Sequence, residues 1–433
     1  MMADSRLSRT LSSLRYRNYR LLFIGTVFSH TGDFMQAMAQ SWLVWTMTSS
    51  PFLLGVVGFS QALPRLLLGA VGGAVVDRLD RRRLLLVTQY LAMIQAFLFW
   101  ALVYFNLIQF WQILLLVLFL GSVNTLNQTA RQSLINSLVR RTELLNAIAL
   151  NSSVVNLSKV IGPSLGGTLI SLIGVAGCLL VNALSFLAII VSLVLMELPA
   201  WHRQEGGENF WEEVSEGYHY VKTNDRIFAV LILTYVVALV GSPYTRFLPV
   251  FASDILHAGP SGFGFLLAAP GLGAVISGLW LASSGNVRHR SGFTFASVFS
   301  FALFLVFFSF SRSMFLSFLC LVMVGLCQIA FRALANTTIQ METPPHLLGR
   351  ILSLLFMDKG LWSFGTLFIG SVASLVGTPK AIALSGTICA LFAAVLLYRR
   401  QRFRKSTKDI LVATVVSAEV EVQGSATRRR TQA

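Results

Sequence analysis

The chain has 433 residues, 55% hydrophobic and 12% charged, with 34 Lys and Arg against 18 Asp and Glu and a net charge of +16; its mean hydropathy is +0.70. A soluble globular chain carries about 25% charged residues, so a soluble domain is excluded and a polytopic membrane protein is expected. The positive excess is no nucleic-acid footprint, because the basic residues cluster in short segments between apolar runs, where membrane orientation uses them.

Met1–Arg20 is polar and Arg-rich, and the apolar run after it is too long for a leader core, so a retained first helix is expected rather than a cleaved signal. Twelve apolar segments follow, at roughly 20–45, 51–76, 84–105, 109–136, 144–172, 174–196, 227–251, 262–284, 292–311, 314–340, 350–376 and 379–398, each of a length that can cross a bilayer. Of the Lys and Arg outside these spans, 26 fall on one face and only Arg312 and Lys380 on the other, which predicts both termini in the cytoplasm. The expected fold is an all-α membrane bundle of twelve transmembrane helices in two pseudo-symmetric six-helix halves. Residues 1–19 form a cytoplasmic segment, 20–196 the first half, 197–226 a central cytoplasmic loop, 227–398 the second half and 399–433 a basic tail without fixed structure. In the loop, Phe210, Trp211, Val214, Tyr218 and Val221 recur at helical spacing. They predict an amphipathic helix on the membrane face, the alternative being a flexible linker. A shift of 206 positions aligns Pro64 with Pro270, Gly72 with Gly278 and Arg82 with Arg288, as parallel repeats would.

Polar residues interrupt four spans. The first contains FSHTGDFMQAMAQ, in which His30, Asp33, Gln36 and Gln40 share an arc of about 120° on a helix. The fourth aligns Asn124, Asn127, Gln128 and Arg131, the seventh Tyr235, Ser242 and Arg246, and the tenth Gln328, Arg332 and Asn336. Six basic and two acidic residues lie within the spans: Arg65, Arg131, Lys159, Arg246, Arg332, Lys359, Asp33 and Asp358. Each would cost at least about 2.5–3.5 kcal/mol if it faced lipid, so all are expected to face the interior or water. Their positive excess favours an anionic small molecule, with neutral or cationic drugs as the rival.

Asp33 is the main candidate for proton coupling, since burial favours the neutral form of an unpaired carboxyl; the alternative is a permanent pair with an arginine. Asp358 is the second carboxylate candidate. It adjoins Lys359, but neighbours on a helix point about 100° apart, and a structural ion pair elsewhere competes with a coupling role. His30, one turn from Asp33, is either a proton relay or a polar wall residue.

After the second span comes GGAVVDRLDRRR, in which Gly73, Asp77, Arg78, Arg81, Arg82 and Arg83 resemble the G-x-x-x-D-R-x-G-R-R-R loop of the major facilitator superfamily, with Asp80 at the second glycine. The resemblance implies a conformational latch, Asp77 and its arginines locking helix 2 against the cytoplasmic end of helix 11, and a central cavity lined by helices 1, 4, 7 and 10. The matching loop of the second half, SGNVRHRS, lacks the aspartate. SKVIGPSLGG resembles the antiporter motif of superfamily exporters through Gly162, Pro163, Gly166 and Gly167; small residues that let helices approach closely are the plainer account, and the two are compatible. Longer strings, LRYRNYRLLFIGTVFSHTGDFMQ among them, resemble the branch that holds bacterial enterobactin exporters and macrolide-efflux proteins. The resemblance implies a secondary transporter, a proton-coupled exporter of a small organic molecule, monomeric in the bacterial inner (plasma) membrane. Substrate identity does not transfer.

Other chemistry is not signalled. No G-x-x-x-x-G-K-[ST] loop is present, no HExxH or Cys/His metal set, and no catalytic group or cofactor is expected. Cys178, Cys320, Cys327 and Cys389 all lie in apolar spans and read as packing residues. Uptake, broad drug efflux and a non-transporting sensor or scaffold are the remaining rivals, and polar stripes on four spans argue against the last.

Overall fold

The structure is a computed structural model that describes residues 12–197, 224–283, 290–344 and 347–398, and within them every side chain except those of residues 69–78, 136, 225, 282, 290 and 291. The loop stretch Phe210–Val221 and the tail from 399 lie outside the described residues. Among the described residues every regular element is helical, and ten helices are long and apolar enough to cross a membrane.

The chain opens with α1 (Arg17–Thr48), α2 (Pro51–Arg78), α3 (Arg81–Tyr104) and α4 (Phe110–Leu138). α1 is not among the ten, because its His, Asp and Gln residues dilute an otherwise apolar run. Leu144–Val194 is one continuous helical run, but Gly174 takes φ 74° and ψ 176° inside it. That conformation, open only to glycine, breaks the run into α5 before Gly174 and α6 after it. The second group holds α8 (Gly259–Ser283), α9 (Arg290–Phe310), α10 (Met314–Glu342), α11 (Leu348–Val376, interrupted at Met357) and α12 (Thr378–Tyr398). Before these, α7 departs from a plain helix. It begins as Asp225–Val236, widens into a π turn at Val237–Gly241, tightens to a 3-10 turn at Ser242–Phe247 and widens again at Phe251–Ile255. Pro243 and Pro249 explain the change, since neither offers an N–H and each crowds the carbonyl of the preceding turn.

Side chains fix the starts of two helices. Asp80 accepts from the backbone N–H groups of Arg82 at 2.9 Å and Arg83 at 3.4 Å. It is thus the N-cap of α3, which accounts for an aspartate where the family signature has glycine. Asn224 caps α7 in the same way, at 3.1 and 3.3 Å.

Small residues set the packing. A Cβ at Gly162 would come within 2.7 Å of Phe34 on α1, and one at Gly167 within 2.6 Å of the Pro260 carbonyl on α8. The SKVIGPSLGG glycines therefore form the seams of α5 with α1 and α8. Gly55 on α2 and Gly370 on α11 approach as closely: a Cβ at Gly55 would lie 2.6 Å from the Thr366 carbonyl. One joint occurs twice. Gly121 on α4 sits against Gln61 and Pro64 of α2, and Gly325 on α10 sits against Pro270 of α8. The two prolines are those that the sequence shift aligns.

Contacts between α1–α6 and α7–α12 gather at the end of the bundle where α1 stops and α2 starts. There Trp45 Nε1 donates to Asp254 at 3.3 Å, Trp42 stacks on Phe263 with centroids 5.9 Å apart, and Ser171 meets Ser261 at 2.8 Å. At the opposite, arginine-rich end, Arg17–Glu197, Tyr19 to Ala147 and Arg226–Glu342 each join residues of one group. Large apolar side chains such as Leu172, Phe315 and Leu375 are exposed, as a lipid-facing surface requires.

Candidate functional site

A cavity of about 360 Å³ opens inside the first helix group. α1 supplies His30, Asp33, Gln36 and Gln40, and α4 supplies Asn124, Asn127, Gln128 and Arg131. Both stripes expected from helical arithmetic thus face one space. α2 adds Gln61 and Arg65, α3 adds Gln89, and Gln132 and Asn151 complete the polar wall. Arg65 faces the interior as expected of a charge within a span, but Gln61, a turn before it, is passed over when polar stripes are sought only on spans one, four, seven and ten; its i, i+4 spacing to Arg65 was the signal available.

Three titratable groups of this wall form a chain. Arg131 Nη1 lies 2.7 Å from His30 Nε2, and His30 Nδ1 lies 3.5 Å from Asp33 Oδ2. A guanidinium only donates, so Nε2 must carry a lone pair and the ring proton sits on Nδ1, aimed at the carboxylate. Arg131 is buried, while Asp33 keeps about a third of its side-chain surface exposed to the cavity (32%). The base of the wall is held by buried amides. Asn182 Nδ2 donates to Gln36 Oε1 at 2.6 Å and Gln36 Nε2 to Gln95 at 3.3 Å, while Asn127 donates to Thr88 at 3.0 Å. Gln36 and Asn127 therefore line the cavity and also tie α1 and α4 to α6 and α3. Gln40 Nε2 and Gln89 Oε1, both buried on the same wall, have no partner among the described residues.

The second-group candidates are distributed differently, and none lines this cavity. Tyr235 donates to the Leu354 carbonyl at 2.7 Å, Gln328 to Ser242 at 2.8 Å, and Asn336 accepts from Gln340 at 3.4 Å. Arg332 pairs with the buried Asp358. Arg246 crosses to the first group, bonding Gln61 on the cavity wall with its guanidinium 5.3 Å from the Trp362 ring centre.

Of the loop-motif residues, Gly73 lies within α2, and the side chains of Asp77 and Arg78 lie outside those described. Arg82 donates to the Leu193 and Val194 carbonyls at 2.9 and 2.8 Å, closing the end of α6, and Arg81 reaches the Ser133 carbonyl at 3.4 Å. Both bind within their own helix group. No group of three or more metal-ligating side chains occurs among the described residues.

The family model described as "Transmembrane secretion effector" matches residues 8–430. The chain is 22% identical over 389 residues to the staphyloferrin A transporter of Staphylococcus aureus, covering 89% of this chain and 97% of that one. It is likewise 22% identical over 391 residues to macrolide efflux protein A of Streptococcus pyogenes, covering 88% and 96%. With the enterobactin exporter EntS of Shigella boydii it shares 26% over 415 residues, covering 90% and 94%. Among solved structures, the inward-facing, unoccupied form of a bacterial homologue of the human lysosomal transporter Spinster superposes with a TM-score of 0.70 at 16% identity, over 90% of this chain and 98% of that one. This last likeness speaks for the fold.

Proposed function

The chain belongs to the transmembrane secretion effector family of the major facilitator superfamily, and from that membership we propose that it is a proton-coupled exporter of a small, anionic, siderophore-like molecule. It is a membrane transporter and not an enzyme. In the proposed topology, α5 and α6 cross the membrane separately and α1 crosses with its polar face inward. This gives twelve spans, two halves joined by 197–226, and both termini in the cytoplasm of a bacterial cell. The protein works as a monomer in the inner membrane.

The observation that carries the proposal is the Arg131–His30–Asp33 chain on a polar cavity of about 360 Å³. Cargo anions are drawn to Arg65 and Arg131, and a cargo hydroxyl or amide donates to the Asp33 carboxylate. A proton arriving at Asp33 from the outside neutralises that carboxylate and weakens its charge-assisted bond to the cargo, so proton and cargo compete for one site. Competition has the sign that exchange requires: the proton enters as the cargo leaves. His30, fixed by Arg131, orients the carboxylate. The halves rock about this site, with Asp77 and its arginines closing the cytoplasmic side.

Everted membrane vesicles with an imposed pH gradient test the proposal. Gradient-driven accumulation of staphyloferrin- or enterobactin-type siderophores that is lost in Asp33→Asn supports it; full gradient-driven transport by Asp33→Asn overturns the coupling role. Macrolide efflux is the second reading, favoured by the uncharged amides Gln40 and Gln89 left unpaired on the wall. Gradient-driven macrolide accumulation without siderophore transport would select it.

A further inference from the structure

Three basic side chains at membrane depth have neither an ion-pair nor a hydrogen-bond partner among the described residues: Arg65 on α2, at the cavity wall, Lys159 on α5 and Lys359 on α11. All three are exposed, and they come from both helix groups. Their placement follows a pattern. The close contacts between the groups run along α2–α11 from Gly55–Gly370 to Leu66–Gly360, and along α5–α8 from Gly167–Gly264 to Val160–Gly271. Arg65, Lys159 and Lys359 each adjoin a residue of the contact nearest the arginine-rich end. Lys359 lies within electrostatic reach of Arg65 and Arg332, and Lys159 within reach of Arg332 and Lys359. Among the described residues, the carboxylate that offsets Lys359 is Asp358, and it is taken by Arg332. Lys359 has in addition the Phe356 ring, 5.4 Å away.

We propose that Arg65, Lys159 and Lys359, with Arg332, form an anion-binding cluster that bridges the two helix groups, takes a small molecule bearing two or more carboxylates, and draws the arginine-rich end shut when occupied. The physics is mutual repulsion. Like charges on the two helix groups oppose their approach, and an anion between them reverses the sign. Lysines suit a ligand whose carboxylates differ in spacing, being point charges on flexible stems, while the guanidiniums can bind bidentately. Arg65 also lines the cavity, so the cluster continues the site already described. The assignment rests on the alternating-access reading above but not on the coupling ion or the direction of transport.

The test uses the full chain in nanodiscs of neutral phosphatidylcholine, so that no lipid headgroup supplies the anion. Citrate is the probe, acetate the single-carboxylate control, and a cationic dye the opposite control. Calorimetry should give citrate binding at least about tenfold tighter than acetate, and Lys159→Gln or Lys359→Gln should each weaken it about tenfold, the worth of one charge-assisted hydrogen bond. Lys359→Arg should restore it, which a merely misfolded variant would not. Spin labels at Arg140 and Gln340, one in each group at the arginine-rich end, should move closer with citrate in the parent chain and stay apart in Lys159→Gln/Lys359→Gln. Citrate binding no tighter than acetate, or unchanged in the lysine variants, overturns the cluster. So does an end that closes equally well without any anion. A chain that exports a macrolide yet ignores citrate overturns the cluster alone and leaves the exporter standing.

Discussion

Arg131 reaches Asp33 only through His30: the guanidinium lies 2.7 Å from one ring nitrogen, and the carboxylate lies 3.5 Å from the other. This arrangement leaves Asp33 with a cation one residue removed and with an open side toward the cavity, the geometry of a carboxylate that can exchange a proton rather than one locked in a salt bridge. Asp33→Asn keeps the size and an acceptor oxygen but cannot ionise. Cargo binding to the parent chain should weaken as pH falls, because a protonated Asp33 keeps a carbonyl acceptor but loses the charge that strengthens the bond from the cargo. Binding to Asp33→Asn should not vary over the same range, and gradient-driven export should fall at least about tenfold. Cargo titrations across pH in detergent, beside vesicle transport, read both.

His30 is accounted for as a bridge that accepts from Arg131 and donates toward Asp33. A glutamine amide offers the same pair of functions, whereas leucine offers neither. His30→Gln should keep export within about threefold of the parent, while His30→Leu should lose about tenfold or more by leaving Arg131 without its acceptor. Were the histidine itself the proton carrier, the glutamine variant would be as inactive as the leucine one, and initial-rate export assays separate the two cases.

Legibility of this site in the sequence depended on helix regularity. α1 and α4 are unbroken, so 100° per residue placed His30, Asp33, Gln36 and Gln40, and likewise Asn124, Asn127, Gln128 and Arg131, on one wall. The same arithmetic on the seventh span aligned Tyr235, Ser242 and Arg246, yet they point to α11, α10 and α2 respectively. The π and 3-10 turns around Pro243 shift the phase between them, and proline marks such a shift without giving its size. The N-cap role of Asp80 was open to a sequence reading, since Asp immediately before an arginine-rich apolar run is a helix-start signal. The break at Gly174 was also visible, as a boundary between spans, although the helical run resumes directly beyond it.

Asp358 and Arg332 should respond to mutation through stability. The carboxylate is buried, with 7% of its side-chain surface exposed, but Arg332 is half exposed at 51%. Removing the carboxylate therefore strands a charge that water partly serves. Asp358→Asn should cost about 1–2 kcal/mol, well below the about 3–5 kcal/mol of a fully buried pair. A lowered melting temperature with the pH dependence of cargo binding retained is the expected signature. Loss of gradient coupling at unchanged stability would instead make Asp358 a coupling carboxylate.

The paired joints of α2 with α4 and α8 with α10 carry a packing prediction. A Cβ at Gly325 would collide with the Pro270 backbone, and one at Gly121 would lie 2.6 Å from the Gln61 carbonyl, whereas Gly278 has open space around its Cβ position. Gly325→Ala and Gly121→Ala should each destabilise the protein by about 1–3 kcal/mol through overpacking. Gly278→Ala should be neutral or slightly stabilising, since alanine is the better helix former. Thermal unfolding in one detergent ranks the three, and equal midpoints for Gly278→Ala and Gly325→Ala would contradict the joint.

Gly167 tests motion rather than stability, because its neighbours lie across the seam between the helix groups. An added Cβ would stand 2.6 Å from the Pro260 carbonyl and 3.1 Å from the Gly264 Cα on α8, prising α5 from α8 at the end where Trp45–Asp254 and Ser171–Ser261 now hold the groups together. The state in which that end is closed loses by the overlap, while a state in which it has opened does not. A penalty of about 1.4 kcal/mol is a tenfold shift in their ratio. With cysteine introduced at Ser171, Gly167→Ala should speed labelling by a membrane-impermeant thiol reagent about tenfold. The natural cysteines are buried and supply a low background. Unchanged labelling would mean that the α5–α8 seam does not part when the transporter turns.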